Sequence, residues 1–347
     1  METKETPPIR QALPTFGTDL LAGLDPSYAR DCVVFCAPES WELTRSRFDR
    51  PPGAVVVPET MEQAAIEARI DALPRAASVF GIGGGSACDA AKLYAARTGA
   101  RLVLVPTILS ADAAFTKSAG VRVGHRVRYV GEVFPDRLLV DFDLLRQAPP
   151  RLNRAGAGDI LSISTAAWDW QLAAYLRAED FDGKIAREAR KLLDRLVAGA
   201  AAIRDGAEEG FRLLAELYVG EVALCGRTGN SRPKEGSEHA FAYCLESLTH
   251  GRYLHGELVA LAVLVATLAQ EQPVTPLLAT CRALGIEYRA DRVGVTRADI
   301  EKTLMSLPAY LAEETQILFG VFHHRAMTRD LALELIDGLE HFGILAE

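Results

Sequence analysis

Residues Gly81-Ile82-Gly83-Gly84-Gly85-Ser86-Ala87-Cys88-Asp89-Ala90-Ala91-Lys92 carry the first pattern with chemical meaning. An apolar run, Ala77-Ser78-Val79-Phe80, precedes them, and Leu93, Ala95 and Ala96 follow with good helix propensity. A strand that turns through consecutive glycines into a helix leaves several N–H groups unpaired at the positive end of the helix dipole, which suits a pyrophosphate. Glycine also permits positive φ and a close approach of backbone to ligand. Gly83, Gly84, Gly85 and Ser86 are therefore candidate phosphate ligands, with Asp89 and Lys92 beside them on the first helical turns. Asp89 is equally suited to a first-turn carboxylate favoured by the dipole, and Lys92 to a solvated helix position.

A second pattern involves three of the residues able to ligate a metal. His239 lies in Gly236-Ser237-Glu238-His239, ahead of an amphipathic stretch, and His255 lies in Leu254-His255-Gly256-Glu257, at the head of an apolar one. Asp159 follows Ala155-Gly156-Ala157-Gly158 and also opens a helical stretch. One carboxylate and two imidazoles presented from three helix starts could hold a divalent metal with positions left open for substrate. Sequence spacing alone does not show this, because a helix-start Asp is more often an N-cap and a lone His is more often not a ligand. His125, His250 and His341 lack such context and are expected at the surface, and His323-His324 has no assigned place.

In chain order, five separated motifs stand out: Gly83-Gly84-Gly85-Ser86 with Asp89 and Lys92; Val105-Pro106-Thr107 with Ser110-Ala111-Asp112; Ala157-Gly158-Asp159; Ser231-Arg232-Pro233 with Gly236-Ser237-Glu238-His239; and Leu254-His255-Gly256-Glu257. In this order the chain resembles the iron-containing alcohol dehydrogenase, glycerol dehydrogenase and dehydroquinate synthase superfamily, and within it the sn-glycerol-1-phosphate dehydrogenase branch. The resemblance implies that Asp159, His239 and His255 bind one divalent metal, Fe²⁺ or Zn²⁺, and that the cofactor is NAD(H) or NADP(H). It also implies that Ser86 and the amides of Gly84 and Gly85 hold the pyrophosphate, while Thr107 and Ser110 contact the cofactor through their hydroxyls. Asp112 matches a position near nicotinamide and substrate, where it would act catalytically by orienting the substrate or relaying a proton. A loop Asp bonded to its own backbone is the competing reading. The implied reaction is hydride transfer between NAD(P) and a hydroxyl or carbonyl substrate.

Three positions depart from that branch. The lysine expected four residues after the metal-binding Asp is Ile163, the second histidine expected four residues after His239 is Tyr243, and an Arg-Tyr-Thr motif is not recognisable in residues 316–324. Arg232 is the remaining cationic candidate for substrate binding. A buried phosphate dianion facing isoleucine would be poorly paired. The expected substrate is accordingly not glycerol 1-phosphate but a less charged compound. An alternative is a non-haem Fe(II), O₂-using oxygenase or rearrangement enzyme of a biosynthetic pathway, because two histidines and one carboxylate also form that ligand set.

The elements that must position these residues fall into two zones. Apolar, β-branched runs at 32–35, 54–57, 77–81, 102–105 and 138–140 alternate with helical stretches at 60–72 and 87–98, which implies a parallel sheet with helices on both faces. Residues 121–123 and 126–129 alternate around Gly124-His125 as a hairpin. Beyond Pro149-Pro150 the periodicity is helical, with turns expected at Gly226, Gly229, Pro273 to Pro276 and Pro308. The fold class expected is an α/β Rossmann-like nucleotide domain over 1–148 followed by an all-α metal- and substrate-binding domain over 149–347, the dehydroquinate synthase-like two-domain fold. The active site is expected in the cleft between them, at the carboxyl ends of the strands.

Bulk properties exclude several classes. A formal net charge of −8 leaves little basis for a basic face toward nucleic acid or an anionic membrane. Met1-Glu2-Thr3-Lys4-Glu5 lacks the apolar core of a signal peptide, and the run 258–269 is too short to span a bilayer and reads as a buried helix. Six cysteines scattered singly suit buried free thiols in a reducing cytoplasm. The expected partners are a small-molecule substrate and further copies of the chain in a homo-oligomer.

Overall fold

A computed structural model describes residues 13–177 and 179–346; the N-terminal residues considered above for a leader lie outside them. Among the described residues eight strands form two sheets: β1 (Thr15–Gly17), β2 (Cys32–Cys36), β3 (Ala54–Val56), β4 (Ser78–Gly83), β5 (Arg101–Pro106), β6 (Ala119–Val123), β7 (Arg126–Val130) and β8 (Arg137–Asp141). The large sheet has the order β1-β8-β5-β4-β2-β3, and every pairing in it is parallel. Strands buried on both faces read as unbroken apolar runs, and Cys32–Cys36 and Ser78–Gly83 are buried at every position. The remaining pair, β6 with β7, is the expected hairpin, turning through Gly124 and His125 at φ 56° and 65°. Two consecutive positive φ values give the tight turn that matches strand twist. Strand β1 was not expected; three residues are too few to show a period.

By internal contact the chain divides into two units. The first holds the described residues up to Pro106, with Ala113–Val121 and Tyr129–Asp141; the second holds Thr107–Asp112, Arg122–Arg128 and the chain from Phe142 onward. Two short segments between β5 and β8 thus belong with the helical unit, so the division is not a single cut in sequence.

Within the first unit, sequence order and spatial order change direction between β2 and β4. In such open sheets ligands bind outside the carboxyl ends of the strands at this switch point. The loop Gly83–Gly85 lies there. Gly83 has φ 151°, and a Cβ on it would meet the Ala87 Cβ at 3.0 Å. Gly84 caps the Gly85–Thr98 helix without any side-chain hydrogen bond. Lys92, a candidate phosphate ligand by sequence, is instead enclosed. Its ammonium is 1% exposed, lies 2.7 Å from Asp89 Oδ1, and donates to the carbonyls of Ala113 (2.9 Å) and Ser118 and to Thr116 Oγ1 (3.1 Å). Its role is to tie the helix to the 113–118 segment.

The second unit is helical around an apolar core that includes Phe241, Leu258, Leu261, Leu304 and Ile336. The apolar run at 258–269 is the buried helix expected, His255–Ala269. Gly226 and Pro308, expected as turns, lie inside the helices Glu208–Thr228 and Arg297–Glu313. The buried stripe Leu304, Leu307, Tyr310 and Leu311 continues through Pro308, and its packing outweighs one lost backbone hydrogen bond. Among the described residues no helix is long and apolar enough to cross a membrane. His125, His250 and His341 are exposed, as expected. All six cysteines are free, and five of them are buried.

The enclosure of Lys92 has a measurable consequence. Lys92→Met leaves Asp89, the carbonyls of Ala113 and Ser118 and the Thr116 hydroxyl around an apolar end, and should lower unfolding free energy by about 3 kcal/mol in urea titrations. A loss below about 0.5 kcal/mol, the scale of ordinary surface substitutions, would contradict this structural role.

Candidate metal centre

Glycines bring two helix starts of the second unit into contact. A Cβ on Gly158 would fall 1.8 Å from the carbonyl oxygen of Gly256, and a Cβ on Gly256 would fall 1.9 Å from that of Ala155. These backbones touch because neither residue has a side chain. The contact sets Asp159, in the first turn of Ala157–Leu161, opposite His255, the first residue of His255–Ala269. His255 Nε2 lies 3.3 Å from Asp159 Oδ1. Asp159 is not an N-cap, since no side chain caps its helix.

The third start, Ser237–Thr249, is fixed by two buried carboxylates. Asp169 accepts from the amides of Ser237 (2.6 Å) and Val321 (2.8 Å) and from Gln270 Nε2 (3.2 Å). Burial, with the neighbouring Glu238 charge, pushes the Asp169 carboxyl up to about 6. Glu238 accepts from the Gly236 amide (2.6 Å) and Thr165 Oγ1 (2.6 Å), and its Oε1 lies 2.9 Å from His239 Nδ1. A carboxylate at Nδ1 selects the tautomer protonated there and leaves the Nε2 lone pair for another partner.

Asp159, His239 and His255 each offer one ligating atom, all within 4.8 Å of one another. Asp159 is 2% exposed, and its Oδ1 makes no hydrogen bond. Burial acts to raise the Asp159 carboxyl, but the charges of His255, Lys234 and His239 hold it below the usual carboxylate range. Burial acts to lower His255, but Asp159 outweighs it and lifts the imidazole to about 8. An unsatisfied buried carboxylate oxygen beside two imidazoles fits a divalent cation, and this N,N,O set suits Zn²⁺ and Fe²⁺ alike.

The segment 107–112 is seated on the same unit. Leu109 donates its amide to Asn153 Oδ1 (2.9 Å) and accepts at its carbonyl from Tyr218 Oη (3.0 Å). The Asp112 amide donates to Asp159 Oδ2 (3.2 Å), which places Asp112 next to the ligand cluster. Thr107 and Ser110 on this segment are buried. Tyr243 lies over the histidines, with ring centroids 5.5 Å from His239 and 6.4 Å from His255. Ile163, one turn beyond Asp159, is buried and brings no charge.

Arg232 does not remain available as a substrate cation. It is 1% exposed, its Nε and Nη2 donate to Glu179 (3.1 and 2.5 Å), and its Nη1 donates to the Phe319 carbonyl (2.6 Å). Its guanidinium is engaged in joining the 231–236 turn to the 316–320 segment. His323 also belongs to that segment, where its Nδ1 accepts from the Gly320 amide at 3.2 Å. The cation beside the cluster is Lys234, whose Nζ donates to Asp112 Oδ2 at 2.5 Å and lies 3.8 Å from Glu221 Oε1. Sequence reasoning missed Glu221. The available signal was a carboxylate in the helical stripe Leu214, Leu217, Tyr218, Glu221, Leu224, all buried.

Comparison with known proteins agrees with the fold and the motifs. The family described as iron-containing alcohol dehydrogenase matches residues 44–149. An NAD(P)+ glycerol-1-phosphate dehydrogenase of Hyperthermus butylicus is 37% identical over 230 residues, 65% of each chain. One from Pyrobaculum arsenaticum is 30% identical over 248 residues, covering 70% of this chain and 72% of the relative. The match to the former thus spans less than two thirds of that relative's length. A probable glycerol dehydrogenase from Sinorhizobium meliloti superposes with TM-score 0.74 at 20% identity, over 96% of this chain and 99% of its own. An iron-containing alcohol dehydrogenase from Corynebacterium glutamicum does so with TM-score 0.68 at 14% identity, over 94% of each. The chain belongs to the iron-containing alcohol dehydrogenase family. The names of these relatives lend no support to excluding glycerol 1-phosphate, and none to the oxygen-using alternative.

The glycine contact can be tested directly. Gly256→Ala forces a methyl into the Ala155 carbonyl, so the helix starts must separate. It should cost about 1–3 kcal/mol of stability through overpacking and weaken divalent-metal binding at least tenfold in anaerobic titrations. Unchanged metal affinity in a folded variant would contradict the contact's role.

Proposed function

We propose that the chain is a metal-dependent oxidoreductase that moves a hydride between NAD(P) and a hydroxyl or carbonyl carbon of a small hydroxylated substrate. The observation carrying this reading is the convergence of Asp159, His239 and His255 around a buried oxygen without a hydrogen bond, with Asp112 held against it. A divalent metal held by these three side chains would supply Lewis acidity toward the substrate oxygen. Glu238 orients His239, and Asp112 orients the substrate and exchanges the proton of the reacting hydroxyl. The loop Gly83–Gly85 and Ser86 take the cofactor pyrophosphate on free amides at a helix start. Thr107 and Ser110 are proposed to contact the cofactor through their hydroxyls.

The relatives' names favour glycerol 1-phosphate, which this activity would interconvert with dihydroxyacetone phosphate. A second reading, an unphosphorylated polyol or carbonyl compound, is favoured by the uncharged Ile163 and the engagement of Arg232 by Glu179. Both readings share the chemistry and differ only in what the far end of the substrate carries.

Two measurements test the proposal. Alanine at Asp159, His239 or His255 should remove most of the bound Fe²⁺ or Zn²⁺ while the protein stays folded; full occupancy in His255→Ala would refute the assignment. Metal-loaded protein should also oxidise NADH or NADPH with dihydroxyacetone phosphate or with dihydroxyacetone. A kcat/KM at least tenfold higher for the phosphorylated compound, about 1.4 kcal/mol, supports the first substrate, and the opposite ratio supports the second.

A further inference from the structure

Lys234 acts electrostatically on Asp159 of the candidate ligand cluster and bonds Asp112, and nothing in the mechanism above uses it. It sits in the 231–236 turn that leads into the His239 helix, with its own carbonyl accepting from Ser162 Oγ at 2.5 Å. Its side chain is only 10% exposed. Its ammonium donates to Asp112 Oδ2, while the carboxylates of Glu221 and Glu235 stand at 3.8 and 3.9 Å, beyond hydrogen-bond reach. Glu221 is fully buried, and neither of its carboxyl oxygens has a hydrogen bond. Burial acts to lower Lys234, but Asp112, Glu221, Glu235 and Asp159 outweigh it and hold the ammonium well above the usual lysine range. Burial pushes the Glu221 carboxyl well up.

Two consequences follow from this placement. Asp112 is gripped at both ends, by its amide on Asp159 Oδ2 and by its Oδ2 on Lys234. Its other carboxylate oxygen, Oδ1, takes part in neither of these bonds. The surroundings of Lys234 also exclude a role as a simple anion receptor. An arriving phosphate would meet Asp112, Glu221 and Glu235 together with a single ammonium already engaged, whereas a hydroxyl carries a proton to give.

We propose that Lys234 is the positioning residue for Asp112, taking Oδ2 so that Oδ1 is presented to a hydroxyl of the substrate, and that this part of the site recognises a neutral hydroxyl group rather than an anion. The inference deepens the dehydrogenase reading and rests on it. Glu221 is the second buried carboxyl beside the ammonium, with Oε1 3.8 Å from Lys234 Nζ. A phosphate, where the substrate carries one, would lie away from this cluster.

The test uses the full chain loaded with Co²⁺, with glycerol and inorganic phosphate as probes followed by the visible cobalt absorption. Wild type, Lys234→Met, Lys234→Arg and the double variant Lys234→Met, Glu221→Gln are compared, with metal affinity and thermal melting measured on each. Lys234→Met should keep Co²⁺ affinity within about threefold and lose at least tenfold in glycerol affinity, about 1.4 kcal/mol. Lys234→Arg should recover part of that loss, and phosphate affinity should change less than twofold. If Lys234→Met does not fold, the double variant, which removes both partners of the pair, carries the same expectation. Unchanged glycerol affinity in a folded, cobalt-loaded variant would overturn the proposal, as would a loss of phosphate affinity larger than that for glycerol. Failure of wild type itself to bind Co²⁺ would instead overturn the dehydrogenase reading and this inference with it.

Discussion

A buried carboxylate oxygen with no hydrogen bond is costly, and the second unit is built around one. Leaving a charged group unpaired in the interior costs several kcal/mol unless a partner compensates it. Asp159 Oδ1 makes no hydrogen bond and has His255 Nε2 3.3 Å away as an ion-pair partner, with the His239 ring turned toward the same space by Glu238. The surrounding sequence is committed to keeping these groups together. Gly158 and Gly256 let backbones touch, Gly236 and Gly320 leave room for Asp169, and Asp169 gathers the amides of Ser237 and Val321. A divalent cation held there would compensate the one oxygen of this cluster that lacks a hydrogen bond.

The same constraint explains why the segment after β5 belongs with the helical unit. Asn153 and Tyr218 capture Leu109, and Asp159 captures the Asp112 amide, so residues 107–112 are bound by the elements that carry the ligands. Gly156 allows this, since a Cβ there would fall 1.9 Å from the Leu109 carbonyl oxygen and 2.0 Å from Tyr218 Oη. The position of Asp112 is therefore set by Asp159 and Lys234 rather than by the sheet from which its segment emerges.

Much of the fold was legible because period and burial act locally. The apolar runs around Val34, Phe80 and Val103 gave the parallel sheet, and the strand–glycine–helix pattern at Gly83 gave the turn from Ser78–Gly83 into the Gly85–Thr98 helix. The cluster of Asp159, His239 and His255 was legible only through family resemblance, because nothing local in Asp159 or His255 distinguishes a candidate ligand from a cap or a surface imidazole. What stayed hidden depends on which buried partner a long side chain reaches. Lys92 and Arg232 looked like anion ligands, yet each is enclosed by acceptors supplied by distant segments. Lys234 reaches Asp112, 122 residues away in sequence, beside Glu221 only once the helices are packed.

The central claim is that two imidazoles and one carboxylate of this chain share a single metal ion. X-ray absorption of anaerobically Fe²⁺- or Zn²⁺-loaded protein tests it most directly. The account requires one ion per chain, a first shell of nitrogen and oxygen only, and the outer-shell scattering of two imidazoles, with Zn–N near about 2.0–2.1 Å. His255→Ala should reduce that scattering to one imidazole. A sulfur shell, a spectrum without imidazole, or a spectrum unchanged by that substitution would contradict it.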